Sequence, residues 1–161
     1  MASSPAQPVN LLDKPVRDCP DLVHLAPPLV QPESTLNDIV AALSSDPSAR
    51  VVFVGDAQDR LIGWIPERAL DMGLLLAALP GELWRSVGEL DMRELLRAAH
   101  GKGQTARELM SPARTVTAGT ALKEAVIAMA RHSQQVVALV DDQQRLLGYL
   151  TLFEVLAALS Q

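Results

Sequence analysis

The sequence predicts an α+β fold built from two copies of one strand–helix–strand–strand–helix unit, and three observations carry that prediction. The stretch "RVVFVGDAQDRLIGWI" (residues 50–65) aligns with "QVVALVDDQQRLLGYL" (residues 135–150). Upstream, "LVQPESTLNDIVAALSS" (29–45) aligns with "TVTAGTALKEAVIAMAR" (115–131). Each copy then closes on an apolar run, "PERALDMGLLLAAL" or "LFEVLAALS". Internal repetition at this length marks a structural unit used twice. The chain has 161 residues, enough for one domain or two small ones. Apolar residues make up 48% and aromatics 3%, so the expected core is mostly Leu, Val, Ile and Ala.

The elements follow in order. Residues 1–13 read as a disordered tail rich in Ser, Pro and Ala. The first repeat is placed at 14–79, a helical connector at 80–103 and the second repeat at 104–161. Each repeat has a short polar lead, "PVRDCP" or "TARELMSP", in which Arg17-Asp18 resembles Arg107-Glu108. A strand end follows at Val30 or Val116. Ser34 and Thr120 then read as helix N-caps, and Asp38 and Glu124 fall in first turns that favour acids. Leu36, Ile39, Val40 and Leu43 share one helical face, as do Leu122, Ala125, Val126 and Met129. Next come a β-branched strand, a polar turn and a second apolar strand. Asp56 meets Asp141, Arg60 meets Arg145 and Gly63 meets Gly148. A glycine inside a strand marks a bulge or a close backbone approach. The closing runs read as helices. Between the repeats, "DMRELLRAAHG" (91–101) is the clearest helical part of the connector, with Trp84 just before it. A unit of this size cannot bury both sheet faces alone, so the two are expected to pack as one body.

Composition excludes several classes of function. The net charge is −5, which argues against a nucleic-acid or anionic-membrane surface. The longest apolar run, "LLLAAL", is far too short to span a bilayer, and the N-terminus lacks the pattern of a secretory signal. The single cysteine, Cys19, forms no disulfide within the chain, which fits a reducing cytoplasm. It sits in a proline-flanked stretch with no readable base. His24, His100 and His132 are scattered without metal-ligand spacing. "HGKGQT" lacks the spacing of a phosphate loop and reads as a helix end followed by a joint. No nucleophile, base and metal cluster emerges, so no enzyme is expected.

The second copy, "TARELMSPARTVTAGTALKEAVIAMARHSQQVVALVDDQQRLLGYLTLFEVLAAL", resembles the cystathionine-β-synthase (CBS) domain in its lead, its "V-D-D-x-x-R-L-x-G" hairpin and its "G-h-h-T-x-x-D" close, where h is apolar. The first copy fits the same pattern with weaker ends. The chain therefore resembles a tandem CBS pair, or Bateman module, over nearly all of residues 14–161. The resemblance implies two βαββα repeats packed with pseudo-twofold symmetry, with two clefts between them. It also implies a stand-alone homodimer that regulates an unidentified partner protein and has no catalytic activity. No cofactor is required. The implied regulatory ligand contains adenosine, such as AMP, ADP, ATP or S-adenosylmethionine.

On that resemblance, Thr151 takes the Thr position and Glu154 the acid position, with Glu for Asp. A carboxylate can accept both hydrogen bonds of a ribose diol, and a Thr hydroxyl can donate to the ligand. The same pair also fits a plain helix cap and first-turn acid. In the first copy Pro66 and Ala69 replace them, so that cleft is expected to be degenerate. Thr115 and Val116 fall where backbone groups meet the adenine edge. Val137 and Ala138 would wall the ring and Met110 would cover it, although ordinary core packing is open for each apolar residue. Arg107, Arg114 and Arg131 are candidate phosphate partners. The alternative function is a ligand-free adaptor that acts through dimerisation or protein contacts.

Overall fold

The computed structural model describes residues 10–84 and 104–161. In the first repeat β2 (Leu29–Val30) lies parallel to β3 (Val51–Gly55), which pairs antiparallel with β4 (Leu61–Pro66). In the second, β5 (Thr115–Val116) lies parallel to β6 (Val136–Val140), which pairs antiparallel with β7 (Leu146–Thr151). Helices α1 (Leu36–Ser45) and α5 (Leu122–Arg131) make the crossovers, and α2 (Met72–Ala77) and α6 (Leu152–Leu159) close the units. The predicted α+β unit is thus present twice. The remaining elements are β1 (His24–Leu25), α3 (Gly81–Trp84) and α4 (Ala106–Leu109).

The two hairpins are the same object. Phe53 sits opposite Trp64 and Ala138 opposite Tyr149, and a bulge follows at Val54/Gly55 and at Leu139/Val140. Each turn is held by one carboxylate. Asp56 Oδ1 accepts from the Gln58 and Arg60 backbone N–H groups, and Asp141 Oδ1 accepts from those of Gln143 and Arg145. Such Asx-type bonding stabilises the reversal locally. The left-handed turn residues are Asp59 (φ 61°) and Gln144 (φ 64°). The tips then join each other: Leu61 N donates to Gln144 O and Leu146 N to Asp59 O.

Side-chain alternation along each strand feeds two different cores. Val52 and Val54 pack with Leu36, Ile39 and Ile65 on the helix side of the first repeat. Val137 and Leu139 do the same with Leu122, Met129 and Val155 in the second. The opposite strand faces meet between the sheets, where Val51, Phe53 and Trp64 pack on Val136, Ala138 and Tyr149. The layers therefore run helices, sheet, sheet, helices. The chain has five Phe, Tyr and Trp residues (Trp 2, Tyr 1, Phe 2), and three of them gather at this junction. The Phe53 centroid lies 6.5 Å from that of Trp64 and 6.1 Å from that of Tyr149.

The leads cross over. Residues before the first repeat are built into the second: β1 pairs antiparallel with β7, giving that sheet the order β1-β7-β6-β5, against three strands in the other. Val16 N donates to Thr120 O, Leu122 N donates to Lys14 O, and Val16 and Cys19 lie in the second repeat's helix-side core. Conversely, Ala106 N donates to Ser34 O, Arg107 N donates to Pro32 O, Ser111 bridges Trp64, and Ala106 is buried in the first repeat's core. Gly63 and Gly148 mark these crossings. A Cβ on Gly63 would stand 2.9 Å from Met110 Sδ and 3.0 Å from Ser111 O, and one on Gly148 would stand 2.5 Å from His24 O.

Three sequence expectations shift. The α1 cap is Thr35, which forms a full capping box with Asp38; α5 is preceded by Ala121, which makes no side-chain cap. Ser34 and Thr120 instead accept from the N–H groups of Gln31 and Thr117, so they tighten the preceding turns. The first closing helix begins later than "PERALD" suggests. Glu67–Ala69 forms a 3-10 turn because Glu67 N donates to Arg50 O, and Asp71 then caps α2 through Leu74 N. The chain is already ordered at Leu11–Asp13, a 3-10 turn packed on α5 within the stretch read as tail. The expected connector helix over 91–101 lies outside the described residues.

Tyr149 ties the repeats together by a polar bond. It is fully buried, and its hydroxyl donates to Asp46 Oδ2 at 2.6 Å. Burial first, then the bond to Asp46 and that residue's negative charge, push the phenol well above its ordinary value of 10.0. The neutral phenol is therefore favoured in the folded chain. The stability it contributes is complete below the unfolded value and is lost as pH rises above it. The chain has one tyrosine, so tyrosinate absorbance reports on this group alone. The expected titration shows no tyrosinate at pH 10 while the fold persists, and then ionisation together with unfolding. Ordinary ionisation of the folded protein near pH 10 would refute the strut.

Candidate functional site

A cleft of about 830 Å³ opens where the ends of β4 and β7 come together. Equivalent positions of the two repeats face it. Arg50 and Gln135 stand just before β3 and β6, and Pro66 and Thr151 end β4 and β7; the register sets Val51 opposite Pro66 and Val136 opposite Thr151. Both repeats contribute to this cleft, with unlike chemistry on its two sides.

On the second repeat's side, Thr151 caps α6. Its Oγ1 accepts from Glu154 N at 3.3 Å and donates to Glu154 Oε2 at 2.8 Å. The cap holds the hydroxyl and the carboxylate next to each other at the cleft. Glu154 Oε2 has a second partner, His24 Nε2 at 2.5 Å. The His24 ring is stacked on Tyr149, with centroids 4.6 Å apart and planes 8° from parallel.

On the first repeat's side, Pro66 offers no hydroxyl, and the exposed Ala69 in the 3-10 turn offers no acid. Charge comes from elsewhere. Arg50 Nε donates to Glu67 Oε2 at 3.2 Å in an exposed pair, and Arg68 lines the cleft with no ion-pair partner among the described residues. Exposed pairs of this kind contribute about 0–1 kcal/mol, so the Arg50 guanidinium is readily redirected.

Of the residues singled out from the sequence, the structure brings Thr151 and Glu154 together on the cleft. It places the others apart from it. Val116 and Val137 are buried in the helix-side core, and Ala138 lies between the sheets. Val137 and Ala138 are neighbours on β6 and so face opposite ways. Thr115 is exposed on the short edge strand β5. Met110 packs into the first repeat's core beside Gly63, because its lead crosses over. Arg131 is the exposed last residue of α5, Arg114 is exposed, and Arg107 pairs with Glu33 at 3.1 Å. Sequence reasoning missed Arg50, Arg68, Gln135 and His24. The first and third had a signal, since both precede the matched "VV" of the repeat. His24 had none, because its place depends on pairing with a strand near the other end of the chain.

Comparison with known proteins follows the geometry. The CBS domain model matches residues 106–161. No curated protein matches the sequence. Among solved structures, a CBS domain-containing protein from Thermotoga maritima is 26% identical, with a TM-score of 0.64 over 92% of this chain and 95% of that one. A structure of CBSX2 in complex with AMP is 21% identical, with a TM-score of 0.63 over 89% of this chain and 94% of that one. A CBS domain pair solved with 5′-methylthioadenosine and S-adenosyl-L-methionine is 15% identical, with a TM-score of 0.65 over 91% and 96%. The last two share the fold.

Proposed function

We propose, for a chain whose second repeat is a CBS domain and whose fold is that of a tandem CBS pair, that it is a non-catalytic regulatory module sensing an adenosine-containing ligand. The ligand is an adenine nucleotide or S-adenosylmethionine, bound on the second repeat's side of the cleft, and its binding alters how the module meets a partner protein. One observation carries this reading: the Thr151 hydroxyl and Glu154 carboxylate stand together on a cleft that Arg50 and Arg68 also line. A carboxylate suits sugar hydroxyls and a guanidinium suits phosphate. The volume falls within the range of about 300–1,000 Å³ usual for small-molecule sites. The nucleotide and S-adenosylmethionine-related complexes of like-folded proteins support the ligand class.

The cellular setting we propose is a cytoplasmic homodimer. Met72 on α2 is 59% exposed, and Phe153 and Leu156 on α6 are 80% and 50% exposed. The equivalent helices of the two repeats thus present apolar side chains that a second copy would cover. No described helix is long and apolar enough to cross a membrane.

A thermal-shift series with AMP, ADP, ATP and S-adenosylmethionine tests the ligand. A ligand bound only by the folded chain adds about 2.7 kcal/mol of stability at a hundredfold excess over Kd. The shift should vanish in the Thr151→Val/Glu154→Ala double variant and persist in Pro66→Thr. A second reading, the ligand-free adaptor, is favoured by the bonds that Glu154 already makes to His24 and Thr151. Absence of any shift at millimolar ligand would select it.

A further inference from the structure

Glu154 is not an unencumbered acceptor. Thr151 Oγ1 and His24 Nε2 both bond Oε2, and Oε1 makes no side-chain hydrogen bond among the described residues. His24 itself is held in three ways. Its backbone is fixed opposite Tyr149 by the β1–β7 pairing, its ring is stacked on the Tyr149 ring, and that ring is anchored in turn through its hydroxyl to Asp46. Releasing the His24 side chain from Glu154 therefore works against a ring stack, and the strand pairing keeps its backbone within reach of the carboxylate. His24 is not among the residues lining the cleft, so it reaches the carboxylate without filling the ligand's space.

A carboxylate that receives a vicinal diol does so with both oxygens, one hydroxyl to each. We infer that His24 is a specificity-determining residue: by taking the acceptor position of Oε2 that Thr151 leaves open, it leaves Glu154 one free oxygen, so the cleft takes a single sugar hydroxyl and does not select ribose over 2′-deoxyribose. This inference rests on the adenosine-ligand reading above. It gives His24, which arrives from the lead of the other repeat, control over which sugars the second repeat accepts.

The experiment is isothermal titration of the full chain with AMP and with 2′-deoxy-AMP. The wild-type protein should bind the two within about threefold of each other, since only one hydroxyl finds an acceptor. His24→Phe keeps a ring against Tyr149 while opening one acceptor position of Oε2, the other staying with Thr151. It should tighten AMP about tenfold, as one added hydrogen bond to a charged group allows, and leave 2′-deoxy-AMP unchanged. A wild-type preference for AMP of about tenfold or more would overturn the inference, and that arm needs no variant. So would an unchanged ratio in a His24→Phe protein that melts normally. If wild type binds neither nucleotide and His24→Phe binds AMP, the inference stands in its stronger form. If AMP binds both proteins alike and Glu154→Ala abolishes binding, His24 is refuted while the ligand reading survives. Binding of AMP to neither protein overturns the His24 inference, and the four-ligand thermal-shift series decides the ligand reading separately.

Discussion

Phe53→Ala should destabilise the protein by about 3–5 kcal/mol, the usual range for emptying a buried phenylalanine site. In a chain of this size that lowers the melting midpoint by about 10–15 °C. Phe53 is fully buried between the sheets, where it meets Trp64 of its own hairpin and Tyr149 of the other. The cavity would open at the junction of the repeats and loosen one against the other. Collapse around it is limited, because both flanking strands are fixed in paired sheets. The chain supplies its own control, for its other phenylalanine, Phe153, is 80% exposed. Phe153→Ala should change stability by no more than about 0.5 kcal/mol in the monomer. Chemical denaturation of both variants decides the matter. Equal losses would mean that the α6 surface is covered in solution, as in the proposed homodimer. A negligible loss at Phe53 would refute the sheet-on-sheet core.

Gly148→Ala should cost about 2–3 kcal/mol, a large effect for one methyl group. The new Cβ would lie 2.5 Å from His24 O and 3.1 Å from Val23 Cγ1. The nearer atom is backbone in a paired strand, so relief requires β1 to move off β7. Gly63→Ala is the matched test at the equivalent position. There the nearest atom is Met110 Sδ at 2.9 Å, the far end of a flexible side chain, with Ser111 O next at 3.0 Å. A thioether can swing aside, so the cost should be about 1 kcal/mol smaller. Calorimetric midpoints should fall further for Gly148→Ala than for Gly63→Ala. The reverse order would show that β1 is the looser of the two crossings. The Gly148 variant should also weaken the His24–Glu154 bond, since His24 would move with β1.

Much of this architecture was legible because the chain states it twice. "RVVFVGD" and "QVVALVD" both read as strands, and the structure gives both the same register and the same bulge. Asp56 and Asp141 were visible as turn residues, since a carboxylate near the start of a turn has N–H groups of its own loop within reach. The glycines at 63 and 148 read as bulges or close approaches, and both hold: the register slips directly beside each, and the crossing lead passes close to it. Other features rested on partners far away in sequence. No local pattern says that Cys19 is buried beneath the second repeat's helices or that Met110 packs beside Gly63, because both follow from the crossing of the leads. Adjacent apolar residues such as Val137 and Ala138 were paired as one wall. Strand alternation sends them to opposite faces, and with both strand faces buried the sequence carried no polar residue to mark which face was which. Thr151 and Glu154 stand out through the resemblance to the CBS "G-h-h-T-x-x-D" close, and the same spacing also reads as the helix cap that the structure shows.

The crossing of the leads also bears on how the molecule is made. During synthesis His24 leaves the ribosome long before its partner Tyr149, which lies on the far side of both repeats' central strands. The first repeat in turn waits for Ala106 and Ser111 before its core and its strand edge are closed. Each repeat is completed by residues of the other, so acquisition of the fold waits until both repeats have been made and then becomes a single event for the pair. Pairings of such long range are slow to form and leave strand edges open in the interval. The nascent first half is therefore the stage of this protein's life most exposed to aggregation, and either repeat expressed alone inherits that open edge permanently.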